Sequence, residues 1–124
     1  MTGKVTPERV PKPWGHETIW ARTDRYVGKI LHVRAGESLS FQYHRRKEET
    51  MRVLSGVLAL EVASEGEERR TVRLAAGEGW HLPPGTRHRV TAIEDTDILE
   101  VSTPELDDVV RLEDAYGREG TSAP

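Results

Sequence analysis

From residue 26 onward, apolar and polar positions alternate in short runs separated by turn-forming residues. YVGKILHV (26–33) stops at RAGES, RVLSGVLALEVA (52–63) is broken by Ser55-Gly56, and the polar SEGEERR precedes TVRLAA. GWHL, the turn PPGT, HRVTAI, the turn EDT and DILEVS follow. Runs of this length at this spacing predict an all-β sandwich or barrel. No segment before residue 103 sustains the 3.6-residue period of an amphipathic helix. STPELDDVVRLEDAYG (102–117) does: Thr103 suits an N-cap, Pro104 the first helical position, and Leu106, Val109 and Val110 one face. The pattern therefore predicts a β body carrying one short C-terminal helix. The polar, Gly/Pro-rich ends predict a loose arm over residues 1–11 and a loose tail over 119–124, around one domain spanning 12–118.

Polar residues interrupt this pattern where core is expected. Side chains alternate faces along a strand, so Gln42 and His44 point one way, and Glu49 shares a face with Met51 and Val53. His88 opens a strand after the Pro-Gly turn, with Val90 and Ala92 on its face. A buried carboxylate or amide without a partner is costly, and a divalent cation would satisfy all four groups together. Lys29 shares its face with Leu31 and Val33, and is either inside near the barrel mouth or a snorkelling surface lysine. Glu100 falls mid-strand in ILEVS, as a general base, a supporting group or a structural ion pair. His16, His32 and His81 read as surface groups or as groups supporting the ligands from behind, Arg45, Arg46 and Arg69 as solvated charges, and Trp14 and Trp80 as packing or dimer contacts.

Composition narrows the class. At 124 residues, 35% hydrophobic and 31% charged, the chain suits one compact domain. It has no cysteine, so thiolate metal sites and disulfides are excluded. A net charge of −3 with interspersed signs gives no basic stripe for nucleic acid. No apolar run approaches a membrane span, and a cytoplasmic protein is expected.

The spacing Gly36, Gln42, His44, Glu49, Gly56 followed by Gly77, Pro83, Gly85, His88 resembles the two motifs of the cupins, with glutamine at the first histidine position. KPWGHETIW, GKILHVRAGESLSFQYH, LPPGTRHRV and DDVVRLEDAYGR are similar, more narrowly, to the type II mannose-6-phosphate isomerase cupin. The resemblance implies a small double-stranded β-helix of the jelly-roll kind, with Gln42, His44, Glu49 and His88 as metal ligands. It also implies roles for Lys12 and Arg111, zinc as the metal, and a homodimer. On ligand chemistry alone, iron, manganese and nickel also fit. The chain departs from the family at Arg45, Arg46, Thr50, Met51 and Lys12.

The expected function is a metal-dependent aldose–ketose isomerase acting on a sugar phosphate. Lys29 or Glu100 would be the base and Arg111 the phosphate-binding cation. The alternatives are a stand-alone cupin that binds a sugar or other small molecule without catalysis, and a small cupin dioxygenase.

Overall fold

The structure, a computed structural model, describes residues 1–120. Its strands, in chain order, are β1 (Glu8–Lys12), β2 (Gly15–Arg22), β3 (Val27–Val33), β4 (Phe41–Tyr43), β5 (Glu49–Ser55), β6 (Val57–Ala63), β7 (Arg70–Ala75), β8 (Gly79–Leu82), β9 (Arg87–Ala92), β10 (Thr96–Ser102) and β11 (Val110–Glu113). They form a six-stranded sheet in the order β1-β2-β3-β10-β5-β8 and a five-stranded sheet in the order β11-β4-β9-β6-β7. Every recorded strand pairing is antiparallel. No helix among the described residues is long and apolar enough to cross a membrane.

Alternation decides which residues fill the space between the sheets. Leu31, Val33, Met51, Val53 and Ile98 from the first sheet meet Leu58, Leu60, Val62, Val90 and Ala92 from the second, and Trp14 joins the same core. Burying side chains of this kind contributes about 1.5–3 kcal/mol each before chain entropy is subtracted. Gly56, between β5 and β6, has a φ of 89°, and a Cβ there would lie 2.3 Å from the carbonyl oxygen of Asp95. Any other residue would push the two sheets apart at this turn.

The predicted C-terminal helix is not formed. Residues 110–113 are instead strand β11, which pairs with β4 by placing Val110 opposite Tyr43 and Arg111 opposite Gln42. Val109 and Arg111 are buried while Leu112 is exposed, a period of two rather than 3.6. Two forces override the helical signal. A helix this short is marginal on its own, and the open backbone of β4 gains a partner only from an extended segment. β-branched Val109 and Val110 favour the same choice.

The arm predicted to be loose over residues 1–11 is ordered from Glu8, where β1 pairs with β2 from Glu8↔Ile19 to Lys12↔Gly15. Of the tail predicted over 119–124, residues 121–124 lie outside the described residues.

Candidate metal centre and its cavity

At one end of the barrel the inner row of side chains changes from apolar to charged. On the six-stranded sheet this row holds Glu17, Lys29, Glu100 and Glu49, with Glu100 directly opposite Lys29 on one side and Met51 on the other. On the facing sheet, Gln42 lies between His88 and Arg111. All of these side chains line one cavity of about 70 Å³, together with Lys12, His44, Lys47 and Arg118.

His44, Glu49 and His88 bring one ligand atom each to within 4.8 Å of the others, and all three are buried. Glu49 Oε1 is 3.4 Å from His44 Nε2 and 3.1 Å from His88 Nε2. The other ring nitrogens are committed elsewhere: His44 Nδ1 lies 2.5 Å from the carbonyl of Asp108, and His88 Nδ1 lies 2.9 Å from that of Thr86. A carbonyl only accepts, so each Nδ1 carries a proton and each ring turns its Nε2 toward Glu49. His88 Nε2 has no hydrogen-bond partner although it is buried. Three lone-pair donors aimed at one point, two of them with backbone carbonyls fixing the tautomer, fit a divalent cation.

Gln42, the fourth expected ligand, stands beside the trio with its amide turned away. Its Oε1 accepts from Ser40 Oγ at 2.5 Å, and its Nε2 is 3.5 Å from His44 Nε2. A half-turn of the amide would present Oε1 to the trio, and Ser40 would then accept instead of donating.

Lys47 Nζ bridges two buried carboxylates, 3.2 Å from Glu49 Oε2 and 3.2 Å from Glu100 Oε1. Burial opposes charge on this ammonium, but Glu100 and Glu49 outweigh it and hold the lysine well above its ordinary range. Burial likewise opposes ionisation of Glu49, where Lys47 and the two histidines prevail and keep the carboxyl well below the usual value. Glu100 goes the other way: burial raises it, and the charge of Glu49 adds to the rise. Two neighbouring carboxyls thus have opposite proton affinities.

Lys29 lies inside the barrel, its Nζ 3.3 Å from Glu17 Oε2, and Lys12 Nζ is 3.7 Å from Glu17 Oε1. Arg111 is brought into the cavity by β11 and not by a helix. The expected surface histidines stay outside: His16 stacks on His32 with ring centroids 5.1 Å apart, and His81 contacts Thr50 and Glu48. Arg69 is not simply solvated, since its guanidinium lies 3.7 Å from the Phe41 ring centroid and pairs with Glu61 and Glu113.

Sequence reasoning missed Lys47, Glu17, Ser40, Asp108 and Arg118. Lys47 had a usable signal, because it continues the odd-numbered parity of Glu49, Met51 and Val53. Asp108 had none. Its carboxylate accepts the backbone N–H groups of Arg45, Arg46 and Lys47 at 3.1, 2.6 and 2.9 Å, contacts that depend on how residues 103–109 cross the barrel end.

Comparison with known proteins agrees with this geometry. The family described as Mannose-6-phosphate isomerase C-terminal matches residues 3–114. Mannose-1-phosphate guanylyltransferase ManC of Salmonella typhimurium is 33% identical over 117 residues, covering 88% of this chain and 23% of that protein. A mannose-1-phosphate guanylyltransferase of Escherichia coli K12 is 34% identical over 117 residues, and xanthan biosynthesis protein XanB of Xanthomonas campestris 30% over 115, covering 88% and 89% of this chain and 23% and 24% of those proteins. The chain thus spans about a quarter of the length of these relatives. Among solved structures, oxalate decarboxylase OxdC of Bacillus subtilis, as its R92A mutant, superposes with a TM-score of 0.77 at 14% identity, covering 86% of this chain and 30% of that one. KdgF from Halomonas superposes with a TM-score of 0.66 at 24% identity, covering 81% and 88%. Both are likenesses of fold. The chain belongs to the mannose-6-phosphate isomerase C-terminal family, and its fold is cupin-like.

Proposed function

We propose that the cavity is the centre of a divalent-metal-dependent aldose–ketose isomerase acting on a sugar phosphate of the mannose-6-phosphate kind. One observation carries the reading: beside the His44–Glu49–His88 trio, Glu100 is a buried carboxyl with raised proton affinity, held by Lys47. Moving a carbonyl between C1 and C2 needs a cation to polarise the oxygen and a base to carry one proton between adjacent carbons. His44, Glu49 and His88 would hold the ion, with Gln42 joining through its amide oxygen after the half-turn. The ion would supply polarisation of the carbonyl and offset charge on the enediolate. Two imidazoles, a carboxylate and an amide suit zinc, which the family likeness favours, and also iron, manganese or nickel.

Glu100 takes the proton from C2 and returns it to C1. Burial and the charge of Glu49 raise its proton affinity, which suits a group that must both take and return a proton. Lys47 orients it by a hydrogen bond and keeps Glu49 ionised as a ligand. Lys29 is engaged with Glu17 as a donor, so the base role falls to Glu100. Arg111, directly across from Gln42, reaches the substrate's anionic end.

A second reading, a sugar-binding cupin without turnover, draws on the same network: both lysines that could act near the site are tied in ion pairs. Conversion of mannose-6-phosphate to fructose-6-phosphate, at measured metal occupancy, tests the first reading on wild type and Arg111→Ala. Turnover in the wild type, reduced about ten- to a hundredfold by the substitution at unchanged metal content, is the expected result. A fully loaded wild type with no turnover sinks the isomerase, and phosphosugar binding alone would then leave the binder.

A further inference from the structure

A row of polar side chains crosses five strands on the outer face of the six-stranded sheet. Cross-strand register puts His16 of β2 opposite His32 of β3, His32 opposite Asp97 of β10, and Asp97 opposite Ser55 of β5. The contacts follow the register. Arg9 Nη2 of β1 lies 3.1 Å from His16 Nδ1, the two imidazoles stack with their planes 23° apart, His32 Nδ1 lies 2.7 Å from Asp97 Oδ1, and Ser55 Oγ donates to Asp97 Oδ2 at 3.2 Å. Neither histidine lines the metal cavity.

The partners in this row fix where its protons sit. A guanidinium only donates, so His16 accepts through Nδ1 and keeps its single proton on Nε2. An ionised carboxylate only accepts, so His32 carries a proton on Nδ1. A second proton on His16 would have to go on Nδ1, the atom that faces Arg9, and would turn a hydrogen bond into a contact between two cations. Burial lowers the proton affinity of His16 first, Arg9 and His32 lower it further, and Arg34 adds to the fall against the pull of Asp97. These charged and titratable groups face the ring from β1, from β3 and the residue that follows it, and from β10.

We propose that Arg9, His16, His32 and Asp97 form a proton-sensitive clasp, which holds the edge strand β1 against the sheet while His16 is neutral and loosens it when His16 takes up a proton. β1 stands at the end of its sheet with β2 as its neighbour, so a side-chain tie across its outer face matters more there than on a central strand. The same strand ends at Lys12, whose Nζ reaches Glu17 inside the cavity. Loosening β1 from outside therefore disturbs the charge within. Folding makes His16 harder to protonate, so the contribution of the clasp is complete above the ordinary value of 6.5 and declines as pH falls below it. The clasp stands whether or not the cavity is an isomerase centre.

Amide hydrogen exchange on the full chain, between about pH 7.5 and pH 5.5 and corrected for the intrinsic effect of pH, tests it. Exchange of the β1 amides relative to those of β6 should quicken about two- to fivefold as pH falls. His16→Gln, whose amide oxygen still accepts from Arg9 and does not titrate, should keep β1 protected at both pH values. His16→Lys, a permanent cation, should leave β1 fast at both. In wild type the His16 ring should titrate below 6.5 by NMR, and Arg9→Gln should move that value up and shrink the pH dependence of β1. His81→Gln, on a histidine outside the row, should change nothing. Protection of β6 should match wild type in every variant, which shows an intact barrel. The same pH dependence in wild type and His16→Gln overturns the clasp, as does wild-type protection of β1 in His16→Lys at the higher pH.

Discussion

Glu49 Oε1 stands 3.1 Å from His88 Nε2, a nitrogen whose ring already gives its other proton toward the carbonyl of Thr86. Such a contact is favourable only when something positive occupies it, either a second proton on the ring or a metal ion. Burial works against the protonated ring, but Glu49 prevails and raises His88 above its ordinary value. A proton and a divalent ion would therefore compete for one place. Purified protein should carry about one divalent ion per chain, chelation should lower Tm, and affinity should fall as pH is lowered through the histidine range. His44→Ala and His88→Ala should each largely abolish retention. Full metal content in both variants would remove the site.

Among the described residues Lys47 pairs with Glu100 and, alongside His44 and His88, with Glu49, so its loss leaves two buried carboxyls facing each other. Lys47→Met should destabilise the metal-free protein by about 3–5 kcal/mol. The loss should shrink in the loaded protein, where an ion neutralises Glu49 instead. Denaturant titrations with and without metal measure both, and equal losses in the two states would separate Lys47 from the metal centre.

Asp108 orients His44 through its carbonyl and fixes the Arg45–Lys47 backbone through its carboxylate. Asp108→Ala keeps the carbonyl but releases the Arg45–Lys47 backbone next to His44, and should weaken metal binding by up to about tenfold. Asp108→Asn, which keeps one acceptor oxygen, should recover part of the affinity. A competitive chelator assay reads both variants, and unchanged affinity in Asp108→Ala would show that the loop needs no such support.

Acid should loosen the C-terminal crossing. Burial alone would raise Asp108 and Asp114, but three backbone N–H groups in the first case, and Arg118 in the second, hold both below the ordinary value of 3.8. Their stabilisation is complete above the unfolded value and is lost as pH falls through the lower, folded ones. Stability should therefore decline below about pH 4, and Asp114→Asn should flatten that decline. Urea midpoints from pH 2 to 6 give the comparison. An identical slope in the variant would place the acid sensitivity elsewhere.

The barrel and the inward faces could be read from alternation, because period two along β5, β9 and β10 fixes which side chains share the interior. Gln42, His44, Glu49 and His88 followed from parity, and Lys29 and Glu100 turned inward as their faces allowed. The C-terminal segment could not be read in this way. Its apolar residues satisfy a helical and an extended pattern equally well, and the choice rests on the unpaired edge of β4, a partner almost seventy positions earlier. Charge pairing was hidden for the same reason. Glu17 meets Lys29 and Lys47 meets Glu100 only once the strand order of the six-stranded sheet is set, whereas Arg118 and Asp114 are local partners.

That long-range pairing also sets an order of assembly. The carbonyl that orients His44 belongs to a residue 64 positions away, while His88 takes its own from two positions away. Contacts closing long loops form late and slowly compared with local ones. On this ground His88 should be oriented first, and His44 only when the C-terminal crossing lands. Metal capture should coincide with the last refolding phase, giving the ion the part of a latch set on an already closed barrel and not of a nucleus around which it forms.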